Sequence, residues 1–344
     1  MDRKWGGGVT LLRALLLRLL TTCVTLFGVA IIVFFVIRVV PGNPIAMMLP
    51  PGATPGDVAR LTAMYGLDKP IPAQFLIWGA AVLHGDFGVS ISNRQPVLAL
   101  VLDHLPATLE LAGMALAIAV GIGGAAALIG TLWRGTRVEA AVDIGNGMAL
   151  SVPDFLWGLV LILTFGVLLP VFQISGRITP SLPLPFSTQF YLVESVLRLR
   201  FDLTRDLLGH MVMPALALAI PLAAIIGQVL KQSLKQVIHL DYVTLARTKG
   251  YGEAQVILRE ALPNAVLPVL TLVGVQFTFL IGGTVIIERL FSYEGLGNMA
   301  IDAVINRDLP LIQGIVILFA AIFTGVNLAV DLCYAALNPR LRHG

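Results

Sequence analysis

The feature that most constrains the fold of this chain is a series of long apolar runs separated by polar segments. A helix needs about 20 consecutive apolar residues to cross a bilayer. Runs of this kind lie at residues 19–37, 107–132, 148–172, 211–230, 265–287 and 311–337. Apolar residues make up 57% of the chain and charged residues 12%, half of the ~25% typical of soluble domains. We therefore predict an all-α polytopic membrane protein with six transmembrane helices.

The distribution of basic residues predicts the orientation of these helices. Cytoplasmic loops carry an excess of Lys and Arg. The basic residues cluster before the first run, after the second and fourth runs, and after the sixth: Arg3, Lys4, Arg13, Arg18, Arg134, Arg137, Lys231, Lys235, Arg247, Lys249, Arg259, Arg340 and Arg342. Both termini are therefore expected in the cytoplasm. Residues 1–40 form the first transmembrane helix, and residues 338–344 form a cytoplasmic tail.

Residues 41–104 are too polar and too rich in proline and glycine to cross a bilayer. Residues 57–65 and 74–82 have the apolar spacing of short amphipathic helices. We predict a folded extracytoplasmic region here, followed by a core of helices 2–6 over residues 105–337.

Two spans carry features that predict their packing. Small residues recur every four positions at Gly113, Ala117, Gly121 and Ala125, a spacing that lets membrane helices approach closely. Pro153 falls inside the third run and predicts a kink there. Glu110 is expected to be an interfacial carboxylate that reaches water.

The polar segment at residues 241–263 is unusual for a loop. Tyr242, Leu245 and Ala246 share a helical face, glycines interrupt the pattern, and a second apolar stripe ends at Pro263. This pattern predicts two short helices joined at a glycine break, lying on the cytoplasmic membrane surface. An amphipathic surface helix without a protein partner is the alternative.

The spacing of Ala246, Gly250, Leu262 and Pro263 resembles the EAA motif of the permease subunits of bacterial ABC importers. In that family this stretch forms the coupling helix, which docks in a groove of the ATP-binding subunit. The resemblance implies that the coupling residues are Asp241, Tyr242, Thr244, Ala246, Arg247, Lys249, Gly250, Leu262 and Pro263. Thr244, Leu245 and Glu260 depart from the motif, standing where it has Glu, Ala and Ile.

Seven elements in the same order resemble the peptide/nickel branch of this family, the dipeptide and oligopeptide permeases of the DppB/OppB type. They are PGNP at 41–44, GLDKP at 66–70, GDFGVS at 85–90, PATLEL at 106–111, DYVTLARTKG at 241–250, FSYEGLG at 291–297 and NLAVDLCYAALNPR at 327–340. Asn43, Tyr251 and Glu294 depart from the usual Asp, Leu and Pro.

The resemblance implies a type I ABC importer permease (MetI-like) fold with an extracytoplasmic insertion after helix 1. It also implies a multi-pass location in the bacterial cytoplasmic membrane. The expected partners are a homologous second permease, two ATP-binding subunits and an extracytoplasmic solute-binding protein, with no nucleic acid. Such a permease imports di- or oligopeptides, and nickel chelates and glutathione remain alternatives.

ATP and Mg²⁺ are expected on the partner subunits, because no GxxxxGK[ST] phosphate loop occurs in this sequence. The chain is therefore expected to be a transport subunit and not an enzyme. A secondary transporter would show inverted repeats, which the sequence lacks. An unassisted channel, the other rival, would have no use for the segment at residues 241–263.

The remaining polar residues give weaker signals. Asn327 and Asp331 lie four residues apart on one face of the last span, and with Arg340 they are expected to be structural. The five histidines show no metal-binding spacing, so no metal site is expected. The sequence assigns no substrate-binding residue, because the pathway is expected to lie between two permeases.

Overall fold

The computed structural model describes residues 6–39, 54–56, 59, 68–182 and 186–337. Over these residues the chain forms helices and no strand. The helices are α1 (Gly6–Val39), α2 (Ile71–Leu83), α3 (Val97–Leu132), α4 (Arg137–Ser151), α5 (Asp154–Leu168), α6 (Tyr191–Leu197), α7 (Phe201–Val237), α8 (Asp241–Thr248), α9 (Glu253–Leu290), α10 (Leu296–Ile305) and α11 (Leu309–Leu337). The helix predicted at residues 57–65 and the tail at 338–344 fall outside the described residues, except for residue 59.

Six membrane spans account for most of this structure. Helices α1, α3, α7, α9 and α11 are each long and apolar enough to cross a bilayer. Helices α4 and α5 pass the same criterion together, as one span that is bent by 101° at a short break. The predicted all-α fold with six spans is therefore confirmed, with a broken third span.

The break in the third span is sharper than the predicted kink. Helix α4 ends at Ser151, and Val152 adopts an extended conformation with φ −106° and ψ 124°. Pro153 is also extended, with φ −57° and ψ 150°, and α5 starts directly after it. The proline ring disfavours the helical region for the preceding residue, and Val152 leaves that region here, so the helix breaks at this point.

The chain forms two compact units, Met1–Leu105 with Met299–Gly344, and Pro106–Asn298. In the first unit, α1 packs against α2 and α11. The ring of Phe34 on α1 lies 5.1 Å from that of Phe75 and 5.4 Å from that of Trp78 on α2, measured between centroids. Aromatic packing therefore anchors α2 to the first span.

The GDFGVS element has a structural role in this first unit. Gly85 and Gly88 both have positive φ angles, of 84° and 83°, and form a turn that other residues adopt with strain. The Ser90 hydroxyl donates to Oδ2 of the buried Asp308 over 2.6 Å. The other oxygen of Asp308 accepts from Leu311 N at 3.2 Å and caps the start of α11.

In the second unit, α7 is the central helix and contacts α4, α5, α6 and α9. It also meets α3 where both backbones come into contact. A Cβ atom on Gly123 would overlap the carbonyl oxygen of Ala223, and one on Gly227 would lie 3.1 Å from the carbonyl oxygen of Gly123. A side chain at Gly123 would force the two backbones apart, and one at Gly227 would be tight, so this crossing sets how closely α3 and α7 approach.

The face of α3 that packs in the second unit differs from the predicted one. A row of buried small residues runs along Ala115, Ala119, Gly123 and Ala127. The predicted Gly113 and Gly121 have nothing within 4 Å of an added Cβ. Small residues thus recur every four positions on more than one side of α3, and within this chain the side of Ala115, Ala119, Gly123 and Ala127 is the one that packs.

Candidate functional site

The coupling segment, residues 241–263, begins with a short helix that has one buried and one exposed face. Val243 and Ala246 of α8 are buried against Val256, and Val237 packs on the same cluster. Tyr242 and Leu245 point outward, with exposed fractions of 39% and 55%. The predicted face of Tyr242, Leu245 and Ala246 is thus divided, and Val243 is the inward residue that the sequence reading missed.

Gly250 ends this helix in a way that requires glycine. It has φ 85°, in the left-handed region. Gly250 N donates to the Arg247 carbonyl at 3.0 Å, and Tyr251 N donates to the Ala246 carbonyl at 3.4 Å. These two bonds form a Schellman motif, in which a left-handed residue closes the helix and satisfies its last carbonyls. The predicted glycine break therefore has a defined geometry.

The sequence predicted a second short surface helix after Gly252. This prediction is wrong, because the chain enters the fifth span directly. Helix α9 continues without interruption from Glu253 to Leu290. Its turn at Val256–Ala261 is a π-helix, which is wider than an α-helix. Pro263 follows directly after this turn, as the second residue of the α-helical part. Leu262 and Pro263 thus lie at a junction within α9.

Polar contacts hold α8 to the ends of both neighbouring spans. Arg247 donates from Nε and Nη2 to the two oxygens of Glu253, at 3.1 and 3.0 Å. Its Nη1 donates to the carbonyl of Ile238, which follows α7, at 3.3 Å. Asn264 Nδ2 donates to the Tyr242 hydroxyl at 2.9 Å. Arg247 therefore connects α8 to the residue after α7 and to the start of α9.

The rest of the predicted coupling residues lie on its surface. Asp241, Thr244 and Lys249 are exposed. Large apolar side chains lie exposed beside them at Leu240 (47%) and Tyr251 (42%). We call Leu240, Tyr242, Leu245 and Tyr251 the docking face. An exposed apolar patch with a polar rim is typical of a protein interface.

A second polar site surrounds Glu288, near the end of α9. This carboxylate is fully buried and accepts from the Thr108 hydroxyl at 2.7 Å, from Gly297 N at 2.7 Å and from Asn298 N at 3.1 Å. A Cβ on Gly295 would lie within 2.7 Å of each carboxylate oxygen of Glu288. The glycines of the FSYEGLG element therefore make room for a buried carboxyl group.

Glu110 is not the water-facing carboxylate that the sequence predicted. Its side chain is 3% exposed and pairs with the equally buried Arg177, Nη2 to Oε2, at 2.8 Å. The other oxygen accepts from Leu192 N and Val193 N at 2.9 and 3.1 Å. Thr108 and Glu110 of the PATLEL element thus bind different parts of the chain to α3.

Glu194 organises the loop before α6. Its carboxylate accepts from the backbone N–H and hydroxyl groups of Ser187 and Thr188 at 2.6 to 3.0 Å. The hydrogen bond from the Thr188 hydroxyl is the main cause that lowers the pKa of Glu194 from 4.5 to about 2, followed by the one from Ser187 N.

The polar residues of the last span are less informative. Asn327 is half-buried within α11. Asp331 belongs to the same helix, but its side chain lies outside the described part of the structure, as does all of Arg340. Among the described residues, no group of three His, Cys, Asp or Glu side chains converges.

Two family models together match most of the chain. The model described as "Binding-protein-dependent transport system inner membrane component" matches residues 112–343. The model described as "Binding-prot-dependent transport system membrane comp, N-term" matches residues 11–112. The matched ranges contain the coupling segment and the Glu288 site.

Several characterised proteins are similar over nearly their whole length. The dipeptide transport system permease protein DppB of Escherichia coli K12 is 37% identical over 343 residues, which is 97% of this chain and 99% of the relative. The di/tripeptide transport system permease protein DppB of Pseudomonas aeruginosa is 35% identical, covering 93% and 95%. The glutathione transport system permease protein GsiC of E. coli K12 is 32% identical, covering 95% and 97%.

The fold is also found in a solved structure. The crystal structure of an amino acid ABC transporter with histidines aligns with a TM-score of 0.50 and 16% identity, over 70% of this chain and 94% of that one. At this identity the likeness concerns the fold alone.

Replacing Gly250 by alanine is expected to destabilise the coupling segment by about 1–2 kcal/mol, because a Cβ disfavours the left-handed conformation. Hydrogen–deuterium exchange over residues 241–263 should become faster in this variant. Gly252→Ala is the matched control, since Gly252 has φ −66° and open space around it. Equal exchange in the two variants would contradict the assigned role of Gly250.

The lowered pKa of Glu194 predicts a pH dependence of stability. A carboxyl group whose pKa is depressed on folding stabilises the protein above its unfolded value of 4.5, and this contribution is lost as the pH falls towards 2. The melting temperature should therefore fall less between about pH 5.5 and 3 in Glu194→Gln than in the wild type. Glu294→Gln, at an exposed position, should keep the wild-type slope; an unchanged slope in Glu194→Gln would refute the assignment.

Proposed function

Because the chain belongs to the family of binding-protein-dependent transport system inner membrane components, we propose that it forms half of the translocation pathway of an ATP-driven importer of di- and oligopeptides. The observation that carries this proposal is the docking face. Its four large apolar side chains lie on α8 and directly beside it, next to two spans, and they are 39% to 55% exposed among the described residues. Family membership sets aside the secondary-transporter and channel alternatives.

The proposed occupant of the docking face is an ATP-binding subunit. Leu240, Tyr242, Leu245 and Tyr251 supply apolar area, and Asp241 and Lys249 lie at its edge. Burial of apolar surface drives most protein association, and the polar rim gives it orientation. This proposal puts residues 241–263 and both termini in the cytoplasm, in agreement with the clusters of Lys and Arg.

The remaining partners follow from the same proposal. A homologous second permease would complete the pathway, two ATP-binding subunits would bind ATP and Mg²⁺, and an extracytoplasmic solute-binding protein would deliver the substrate. This chain would hydrolyse no ATP, since its sequence lacks a phosphate loop of the GxxxxGK[ST] type. Its contribution is the movement of its membrane helices.

The contacts of α8 support a mechanical role. Its inner face packs on Val256 at the start of α9 and on Val237 at the end of α7. Arg247 is bonded to both of these helix ends. Closure of the ATP-binding subunits would displace α8, and α7 and α9 would have to rotate with it. A rigid-body change of this kind switches a site between the two sides of a membrane.

Peptides are the proposed substrates because relatives of nearly equal length are named for dipeptide and di/tripeptide transport. Glutathione is the second candidate, since a relative at 32% identity is named for its transport. Selection among them would rest largely with the binding protein.

Leu245→Glu tests the docking face. A carboxylate at the centre of an apolar interface would be desolvated without a partner, so the ATP-binding subunits should no longer co-purify and ATP-dependent peptide uptake by proteoliposomes should be lost. Leu197→Glu is the control. Leu197 is equally apolar and 77% exposed, but it lies just before α7, at the end of that helix opposite to α8. Normal co-purification of Leu245→Glu would refute the docking proposal.

The same proteoliposomes distinguish the substrates. With the cognate binding protein added, labelled di- and tripeptides should be taken up and should stimulate ATP hydrolysis more than glutathione. Uptake of glutathione alone would favour the second candidate.

A further inference from the structure

Lys231 joins two spans by an ion cluster that the proposed function does not use. Its side chain on α7 is 7% exposed. The Nζ atom lies 2.8 Å from Glu139 Oε1 and 2.7 and 2.8 Å from the two oxygens of Asp143, both on α4. An ammonium group that is removed from water needs such partners, because burying it alone is costly.

The sequence of α4 places both carboxylates on one side. Glu139 and Asp143 are four residues apart, so they lie on the same helical face. The second oxygen of Glu139 accepts from Gly135 N at 2.7 Å, in the turn between α3 and α4. The stem of Lys231 crosses α3 at Gly130, where an added Cβ would lie 3.5 Å from Cε. Helices α3, α4 and α7 therefore meet at this lysine.

The cluster is also linked to the coupling segment. Lys231 lies on α7 shortly before Val237, which packs on α8. On the other side, Arg134 in the turn before α4 lies 3.2 Å from Glu253, Nη2 to Oε1, and Glu253 in turn binds Arg247 of α8. Arg134 and Glu253 are half-exposed, so this second link is the weaker one.

We propose that Lys231 is a positioning residue for energy coupling: it makes α4, and through it the broken third span, move together with α7 and the coupling segment. Helix α4 has no direct chain connection to residues 241–263. If α7 moved without α4, the buried ammonium group would lose both carboxylates. The cost of that separation forces α4 to follow. This inference rests on the proposed function.

The first test uses Lys231→Met, which keeps the apolar stem and removes the charge, in the complete complex in proteoliposomes. Peptide uptake per ATP hydrolysed should fall by about fivefold or more, the lower end of typical coupling between sites, while ATP hydrolysis persists. Lys235→Met is the matched control, because Lys235 is 60% exposed and its distance of 3.6 Å from Glu139 is too long for a hydrogen bond. An unchanged ratio in Lys231→Met, with or without loss of activity, would overturn the proposal.

A second variant guards against simple misfolding. Lys231→Met leaves two carboxylates without their cation, whereas Lys231→Met/Glu139→Gln/Asp143→Asn removes all three charges. This triple variant should assemble normally and remain uncoupled. Restored coupling in the triple variant would show that the charges only stabilise the fold, and the proposal would be wrong.

A distance measurement separates this inference from the proposed function. Spin labels at Ile144 of α4, which is 64% exposed, and at the exposed Gln236 of α7 should keep one distance in the nucleotide-free and ATP-bound wild-type complex. In the triple variant the two states should differ. If the wild-type complex transports peptide but the distance between the labels changes, only the proposed role of Lys231 is refuted. If the wild-type complex shows no ATP-dependent uptake, the proposed function is refuted as well.

Discussion

The structure depends on one constraint: in the hydrocarbon part of a bilayer no water is available to satisfy polar groups. Backbone groups meet this constraint by forming helices. Polar side chains inside the protein are likewise paired: Glu110 with Arg177, Lys231 with Glu139 and Asp143, and Glu288 with a hydroxyl and two backbone N–H groups. Each of these groups connects elements that are distant in sequence, so the polar residues act as fixed points between otherwise apolar helices.

These polar contacts, together with close helix packing, hold the helices of the second unit against one another. Apolar helices in lipid gain little from the hydrophobic effect between them and depend on close contact. Gly123 and Gly227 provide that contact between α3 and α7, and the charged groups hold the neighbouring helix ends. Under the proposed function, a displacement of α8 would therefore move whole helices instead of being absorbed by a flexible loop. This is what a subunit that converts motion of a partner into opening of a pathway requires.

The sequence predicted those parts of the structure that depend on local composition. Hydropathy predicted the six spans, and the pattern around Gly250 predicted a break in the helix there, whereas the left-handed conformation of Gly250 is known only from the structure. Contacts between distant residues could not be found in this way. The pairing of Glu110 with Arg177 joins two separate segments, and nothing in the local pattern of either residue indicates the other. The π-helical turn at Val256–Ala261 has no sequence signature, so α9 was divided at Pro263.

The choice between helix faces was a second limit. Helix α3 is apolar on all sides, and small residues recur on several of them. Periodicity could therefore not select Ala115, Ala119, Gly123 and Ala127 over the row on the opposite side of the helix. In α8 an apolar residue serves equally well against the protein core or against a partner. Only the structure separates Val243 and Ala246, which are buried, from Tyr242 and Leu245, which are exposed.

The central claim is that the exposed face of α8 binds the ATP-binding subunit. Site-specific photo-crosslinking from position 245 in the assembled complex measures this contact directly, with position 197 as the reference. A crosslink from position 245 to the ATP-binding subunit, and none from position 197, is the predicted result. A complex that transports peptides while position 245 crosslinks only to lipid or to the second permease would contradict the account.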